Sequence, residues 1–394
     1  MTLSKLQVRR VSRSSPRARI PLPVSRKILV IRRDNIGDLV LTTPLLAALR
    51  ARLPDAQIDV LTNSYAAPIL HRNTDVDAVH VYTKSHHRER DETWLGVYLR
   101  RARTVLALRA QRYDTIVLAK LPAEPRPLAF ARLIGGKEVA GLVKPGERPL
   151  RGLTHVIRWD PVHCAHTVEA LQQLGAHFGI DAPAGPAKID PQPDELAALR
   201  TRLAPVLGRT TPVVALNLSA RKVKQRWPTE RFVALARALH ARFGCGFMLV
   251  WSPGAADNPR HPGDDDKAAA VAKALADLPC VPVRTDRLAE LIAALSLAQA
   301  MITADGGAMH IGAACGLPIV ALFGNSSPAI WHPWHVPYEV LQHDARDVST
   351  IAVDDVIGAW DRLAQKVGFA AIAQPASGVW RERERRAAGP LVAS

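Results

Sequence analysis

One pattern restricts the possible folds more than any other: short β-branched runs alternate with stretches of helical spacing, and small or acidic residues break the chain between them. KILVIRR (27–33) is such a run, DNIGD (34–38) interrupts it, LVLTTPLLAALRARLP (39–54) has helical spacing, and AQIDVLTN supplies the next strand. Two apolar strands joined through a helix make a parallel crossover, which puts the intervening loop at the carboxyl edge of a sheet, where ligands usually bind. YDTIVLAK (113–120), AFARLIGG (129–136) and KEVAGLV (137–143) continue the alternation, and HTVEALQQLGAHFGI (166–180) closes the first half as a helix. DAPAGPAKIDPQP (181–193) is rich in proline and small residues and reads as a linker.

The pattern then restarts. DELAALRTRLAPVL is helical, TPVVALNLSA (211–220) is a strand running into a loop, and TERFVALARALHARFG (229–244) is an amphipathic helix with a glycine stop. FMLVWSPG (247–254) is a strand, GDDD (263–266) reads as a solvated acidic loop, KAAAVAKALADLP is a helix, and RLAELIAALSLAQAM leads into TADGGAMHIG (303–312). The expected architecture is α/β: two Rossmann-like, doubly wound domains facing each other across a cleft. Their expected limits are a basic tail at 1–26, a first domain at 27–182, a linker at 183–194, a second domain at 195–366 and a tail at 367–394.

A chain of 394 residues, 48% of them apolar, suits two such cores. The 52 basic against 36 acidic residues leave a net charge of +16, which favours nucleic acid, an anionic membrane surface or phosphate-bearing substrates. Aromatic residues make up only 5%, and no aromatic-rich RNA-binding motif accompanies the charge, so no specific nucleic acid is expected. Cys164, Cys245, Cys280 and Cys315 have no CxxC spacing, which fits a reduced, cytoplasmic setting. Residues 1–27 hold eight lysines and arginines and no acid, and no apolar core of a secretory signal follows. Such a tail suits peripheral contact with the anionic inner face of a membrane. No apolar run approaches the roughly 18 residues of a spanning helix.

Three loops can carry chemistry. In TADGGAMHIG, Asp305, Gly306 and Gly307 precede a helix whose free N–H groups would hold phosphate, with His310 one turn in; a plain Asp cap with a buried histidine is the other reading. In RRDNIGDLVLTTP (32–44), Asn35 and Gly37 lead to Asp38, which is either a helix-start acid or a general base for a substrate hydroxyl, with Asp34 as its local rival. In LNLSARKVKQRWPTERF (216–232), Ser219, Arg221, Lys222, Lys224 and Arg226 form a solvated basic loop or, at the edge of a cleft, a set of charges for a diphosphate leaving group. Neither GxGxxG nor GxxxxGK[ST] is present, which removes the best support for dinucleotide redox chemistry or P-loop hydrolysis.

In order and spacing, RRDNIGDLVLTTPLLAALR, LNLSARKVKQRWPTERFVALARAL and MITADGGAMHIGAACGLPIVALFGNSSPAIWHPW resemble the glycosyltransferase family 9 heptosyltransferases of bacterial lipopolysaccharide synthesis, over roughly residues 27–345. The resemblance implies a GT-B fold, with an acceptor-binding first domain and a second domain for a nucleotide-activated sugar, ADP-heptose in this family. Transfer would invert the anomeric carbon and use no metal and no cofactor. The acceptor would be a lipid-linked or phosphorylated glycan. By the same resemblance Asp38 is the catalytic base, and Asp305, Gly306, Gly307 and His310 form the donor loop, with Gly306 replacing the usual hydroxyl residue. Gln225 stands where the family usually has lysine, which leaves Lys224 or Arg226 to substitute. Asp257 is the nearest match to an acidic ribose contact. A GT-B enzyme using another nucleotide sugar, or a non-catalytic sugar-nucleotide or nucleic-acid binding protein on the same scaffold, are the alternatives.

Overall fold

The computed structural model describes residues 25–82, 94–162, 164–207, 212–258 and 263–368. The expectations for the two tails lie almost wholly outside the described residues.

The first half runs β1 (Lys27–Ile31), α1 (Ile36–Val40), α2 (Thr43–Arg52), β2 (Gln57–Asn63), β3 (Ala78–Tyr82), α3 (Trp94–Ala110), β4 (Thr115–Leu118), α4 (Pro125–Ile134), β5 (Glu138–Val143), β6 (His155–Arg158) and α5 (Thr167–Gln172). Its sheet has the order β3-β2-β1-β4-β5-β6, every pair parallel. The second half runs α6 (Pro193–Leu207), β7 (Val213–Asn217), α7 (Thr229–Phe243), β8 (Gly246–Trp251), α8 (Asp265–Ala274), β9 (Cys280–Arg284), α9 (Leu288–Leu297), β10 (Ala300–Ala304), α10 (Gly307–Ala314), β11 (Ile319–Leu322), α11 (Pro328–Trp331), β12 (Tyr338–Leu341) and α12 (Val353–Val367). Its sheet is again all parallel, in the order β12-β11-β10-β7-β8-β9. Helices cover both faces of a parallel sheet, so the central strands are largely apolar, and Val213–Asn217 and Ala300–Ala304 are buried throughout.

Strand order reverses between β1 and β4 in one sheet and between β7 and β10 in the other. Reversal leaves a crevice at the carboxyl ends of the two strands, because their connections leave in opposite directions. The loops after β1, β7 and β10 are the three that the sequence singles out. An apolar cluster runs without a break from Val30 and Leu39 in the first half to Met309 and Ile319 in the second, so the two halves share part of a core. Among the described residues no helix is long and apolar enough to cross a membrane.

The structure corrects three local readings. The helical run 39–54 is two helices: α1 starts earlier, at Ile36, and α2 starts afresh with Pro44 in its first turn, where a missing N–H costs nothing. The 166–180 stretch is α-helical only to Gln172 and continues as a 3-10 turn, Gln173–Phe178, ended by Gly179 in the left-handed region. GDDD is not a solvated loop. Asp264 is buried and Asp265 opens α8, accepting hydrogen bonds from Trp251 Nε1 (2.8 Å) and the Gly254 amide (3.0 Å). Carboxylates are stabilised at a helix start by the free amides there, which explains the acidic run.

Candidate active site

The first wall is the loop after β1. Arg32 follows the strand and is almost fully buried; its guanidinium donates to the Ala119 carbonyl beyond β4 and to Asp38 Oδ1 at 2.5 Å, and it lies 3.5 Å from Asp34 Oδ2. Asp38 is the third residue of α1, and its Oδ2 accepts from the backbone and the side-chain amide of Asn35, each at 3.0 Å. Burial alone would raise the Asp38 pKa, but the Arg32 charge and the Asn35 and Arg32 hydrogen bonds outweigh it and hold the carboxyl below its ordinary range. Asp38 is therefore ionised at neutral pH. Asp34 is bound differently: its Oδ1 accepts from Lys120 Nζ at 2.8 Å, and Lys120 also pairs with Glu124. It is tied to the β4 side of the crevice.

The second wall begins at β10. Gly306 is extended, exposed and has nothing within 4 Å of where a side chain would start, while Gly307 opens α10 against Ile36. Asp305 is locked in place, with Oδ2 accepting from Gln225 Nε2 (3.0 Å) and Ser326 Oγ (2.5 Å). Gln225 is thus a buried strut for the loop after β10, and the exposed cations on its own loop are Arg221, Lys222 and Lys224. Arg226 turns back to the Ala220 carbonyl (3.0 Å), and Ser219 Oγ accepts the Ser252 amide (2.8 Å), which joins the loops after β7 and β8. Asp257 lies exposed on the loop after β8.

The walls touch. The Cβ of any larger residue at Gly37 would stand 2.6 Å from His310 Cδ2, so α1 and α10 approach as closely as they do only because Gly37 has no side chain. The space that the missing Gly37 side chain leaves is therefore filled by the His310 ring and is not open to a substrate. Burial lowers the His310 pKa in spite of the nearby Asp305 and Asp38, and its Nδ1 is buried without a hydrogen-bond partner. His310 also lies 6.1 Å, centroid to centroid, from Trp331. The rest of the junction is a stack: His166, the cap of α5, lies on Trp334 (4.6 Å) and against His332 (4.3 Å). Its Nδ1 accepts the Val168 amide, so its Nε2 carries the proton and donates to the His332 carbonyl at 3.0 Å.

Sequence reasoning did not find Arg32, Lys120, His166 or Lys267. Lys267, on α8, donates to the carbonyls of Leu218 (3.0 Å) and Trp227 (2.7 Å), the two ends of the basic loop. Burial pushes its pKa down to about 8, against the pull of Asp264 and with the nearby Arg226 adding to the fall. Among the described residues, the potential metal ligands that converge in a group are Glu138, His155 and His177, which lie away from the cleft at the amino edge of the first sheet.

Two parallel α/β units whose switch-point loops meet across a cleft, with an ionised carboxylate on one wall and a glycine-opened helix beside basic loops on the other, make a GT-B fold. The chain belongs to glycosyltransferase family 9 (heptosyltransferase), whose model matches residues 101–354. It is 26% identical over 347 residues to lipopolysaccharide heptosyltransferase 3 of Escherichia coli, covering 83% of this chain and 96% of that protein. Its fold is shared with a glycosyl transferase family 9 protein from Veillonella parvula DSM 2008, with a TM-score of 0.70 at 21% identity over 86% of this chain and 97% of that one. E. coli ADP-heptose lps heptosyltransferase II is similar at a TM-score of 0.66 and 21% identity, over 86% and 99% of the two chains.

Proposed function

We propose that the protein transfers a heptose from ADP-heptose to a lipopolysaccharide core or related phosphorylated glycan, by single displacement with inversion and without a metal in the cleft. The observation that carries the reading is the ionised Asp38 on α1, one residue from the glycine that packs on His310 of the donor loop. In a single displacement the acceptor oxygen loses a proton as it attacks the anomeric carbon, and the departing diphosphate gains charge. Asp38 accepts that proton. Arg32 and Asn35 hold the carboxylate in one orientation, and their hydrogen bonds keep it unprotonated until the acceptor hydroxyl becomes acidic in the transition state. The amides at the start of α10, with Lys222, Lys224 and Arg226 of the adjoining loop, stabilise the leaving diphosphate. Ser219 and Asp257 border the place for the nucleoside.

Asp38→Asn keeps size and removes the base, so kcat falls by roughly 10²–10⁴-fold with donor affinity nearly unchanged. Asp34→Asn costs far less, because Asp34 is engaged by Lys120. Near-normal kcat in Asp38→Asn would sink the mechanism. Calorimetry with ADP, UDP and GDP tests the donor; preference for UDP or GDP would remove ADP-heptose and leave a GT-B enzyme for another nucleotide sugar.

A further inference from the structure

The amino edge of the first sheet, the edge opposite the cleft, holds a cluster that the transfer reaction does not use. Glu138 opens β5 and His155 opens β6, and the register pairs His155 with Ala140. Side chains two apart on a strand share a face, so Glu138, Ala140 and His155 all project to the same side. The 3-10 turn Gln173–Phe178 packs over that side and brings down His177, which is nearly buried, with its Nε2 3.1 Å from Glu138 Oε2. His155 Nδ1 is 4.0 Å from the same oxygen, and the two imidazole rings lie 4.1 Å apart, centroid to centroid.

We propose that Glu138, His155 and His177 bind one divalent ion of the zinc class, with water completing the coordination. Two neutral imidazole nitrogens and a carboxylate oxygen are the donors such ions take, and soft thiolates are absent from the group. The three donor atoms lie within 4.8 Å of one another. Donors on a tetrahedral ion with bonds of about 2.1 Å stand about 3.4 Å apart, so loading needs adjustments of about 1 Å or less at most contacts. The partly exposed His155 ring is the side chain with room to make them, by giving up its 3.1 Å contact to Thr154 Oγ1. Outer support is already present: Thr115 Oγ1 donates to Glu138 Oε2 at 3.4 Å and is itself paired with Ser25 Oγ at 2.8 Å, the kind of second layer that orients a ligating carboxylate. The bound ion ties the last two strands of the sheet to the turn that precedes the linker. It is independent of the proposed transfer chemistry.

The test uses the full chain, stripped with a chelator and dialysed. Titration with Co²⁺ gives the visible d–d absorption of a four- or five-coordinate ion and saturates at one equivalent; Zn²⁺ displaces it, binds one to one by calorimetry and raises Tm. His155→Ala and Glu138→Gln abolish saturable binding and the Tm gain. His155 is exposed enough for its removal to leave the metal-free Tm close to that of the parent, which separates loss of a ligand from loss of the fold. No stoichiometric binding by the parent chain, or binding unchanged in His155→Ala, would overturn the site. Because the readout is binding at the far edge of the sheet, its failure leaves the transferase reading untouched, and loss of transfer in Asp38→Asn leaves this site untouched.

Discussion

Gly37→Ala tests whether the contact between the two walls belongs to the reactive conformation. The new Cβ would lie 2.6 Å from His310 Cδ2, where ordinary contact begins at 3.4 Å, so one of the two must yield by about 0.8 Å. The His310 ring is held in the interior, 3% exposed, on a helix that packs on α1 and against Met301 beneath it. The cheapest relief is separation of α1 from α10, which opens the cleft and leaves each sheet intact. Overpacking of this kind costs about 1–3 kcal/mol, and charged wholly to the closed state it reduces the ratio of closed to open forms by about 5–150-fold. Steady-state transfer from the nucleotide sugar should show kcat/KM reduced by up to that factor, with an increased radius of gyration in solution scattering and an unfolding midpoint close to that of the parent. Gly306→Ala is the control, because nothing lies within 4 Å of its Cβ. Parental kcat/KM with an unchanged radius in Gly37→Ala would refute the argument.

Gly306→Ser restores a hydroxyl at an extended position with open space around it, so donor affinity measured by calorimetry should rise, by up to about tenfold for one good hydrogen bond to phosphate; weaker binding would mean that the side chain does not face the diphosphate. Burial and the adjacent His332 push the His166 pKa down to about 3, against about 6.5 in the unfolded chain. Between those values the unfolded state holds a proton that the folded state lacks, so this contribution is intact above pH 6.5 and is lost as pH falls, by about 2 kcal/mol between pH 6.5 and 5. Urea titrations across that window should show the slope reduced by about one proton in His166→Gln, and an identical slope would exclude His166 as the source. Deletion of residues 2–24 should weaken sedimentation with anionic liposomes in a salt-sensitive way and leave turnover of a soluble acceptor unchanged; unchanged sedimentation would remove the tail from membrane contact.

The central strands and the loops at the two switch points were readable because each depends on residues close together in the chain. β1, β7 and β10 are mostly apolar runs, and an acid or glycine at the end of such a run has few other uses. Asp38 was legible as a helix-start acid for the same reason. The edge strands β3, β6, β9 and β12 are four or five residues long, and only partly buried, so their apolar pattern is diluted by residues such as His80 and Arg158. The partners that give the site its character were hidden because they are distant in sequence. Arg32 meets Ala119, Gln225 meets Asp305, and His166 meets His332, and no periodicity records a contact across such separations. Gln225 illustrates the difference: beside lysine and arginine it reads as a gap in a basic loop, whereas in three dimensions it holds Asp305.

The proline-rich segment between the two halves is fastened rather than free. The Lys188 amide donates to Thr43 Oγ1 (3.0 Å), its Nζ pairs with Asp75 (3.2 Å), Ala187 and Ile189 are buried, and Trp334 Nε1 of the second half donates to the Gly185 carbonyl (2.9 Å). A loose tether of that length would sample many backbone states and would surrender about 1–2 kcal/mol per residue each time the halves came together. Here most of that disorder is removed when the chain folds, before any substrate arrives. Donor binding energy is left for positioning the anomeric carbon against the acceptor oxygen, the term in which an enzyme with two separate walls has most to gain.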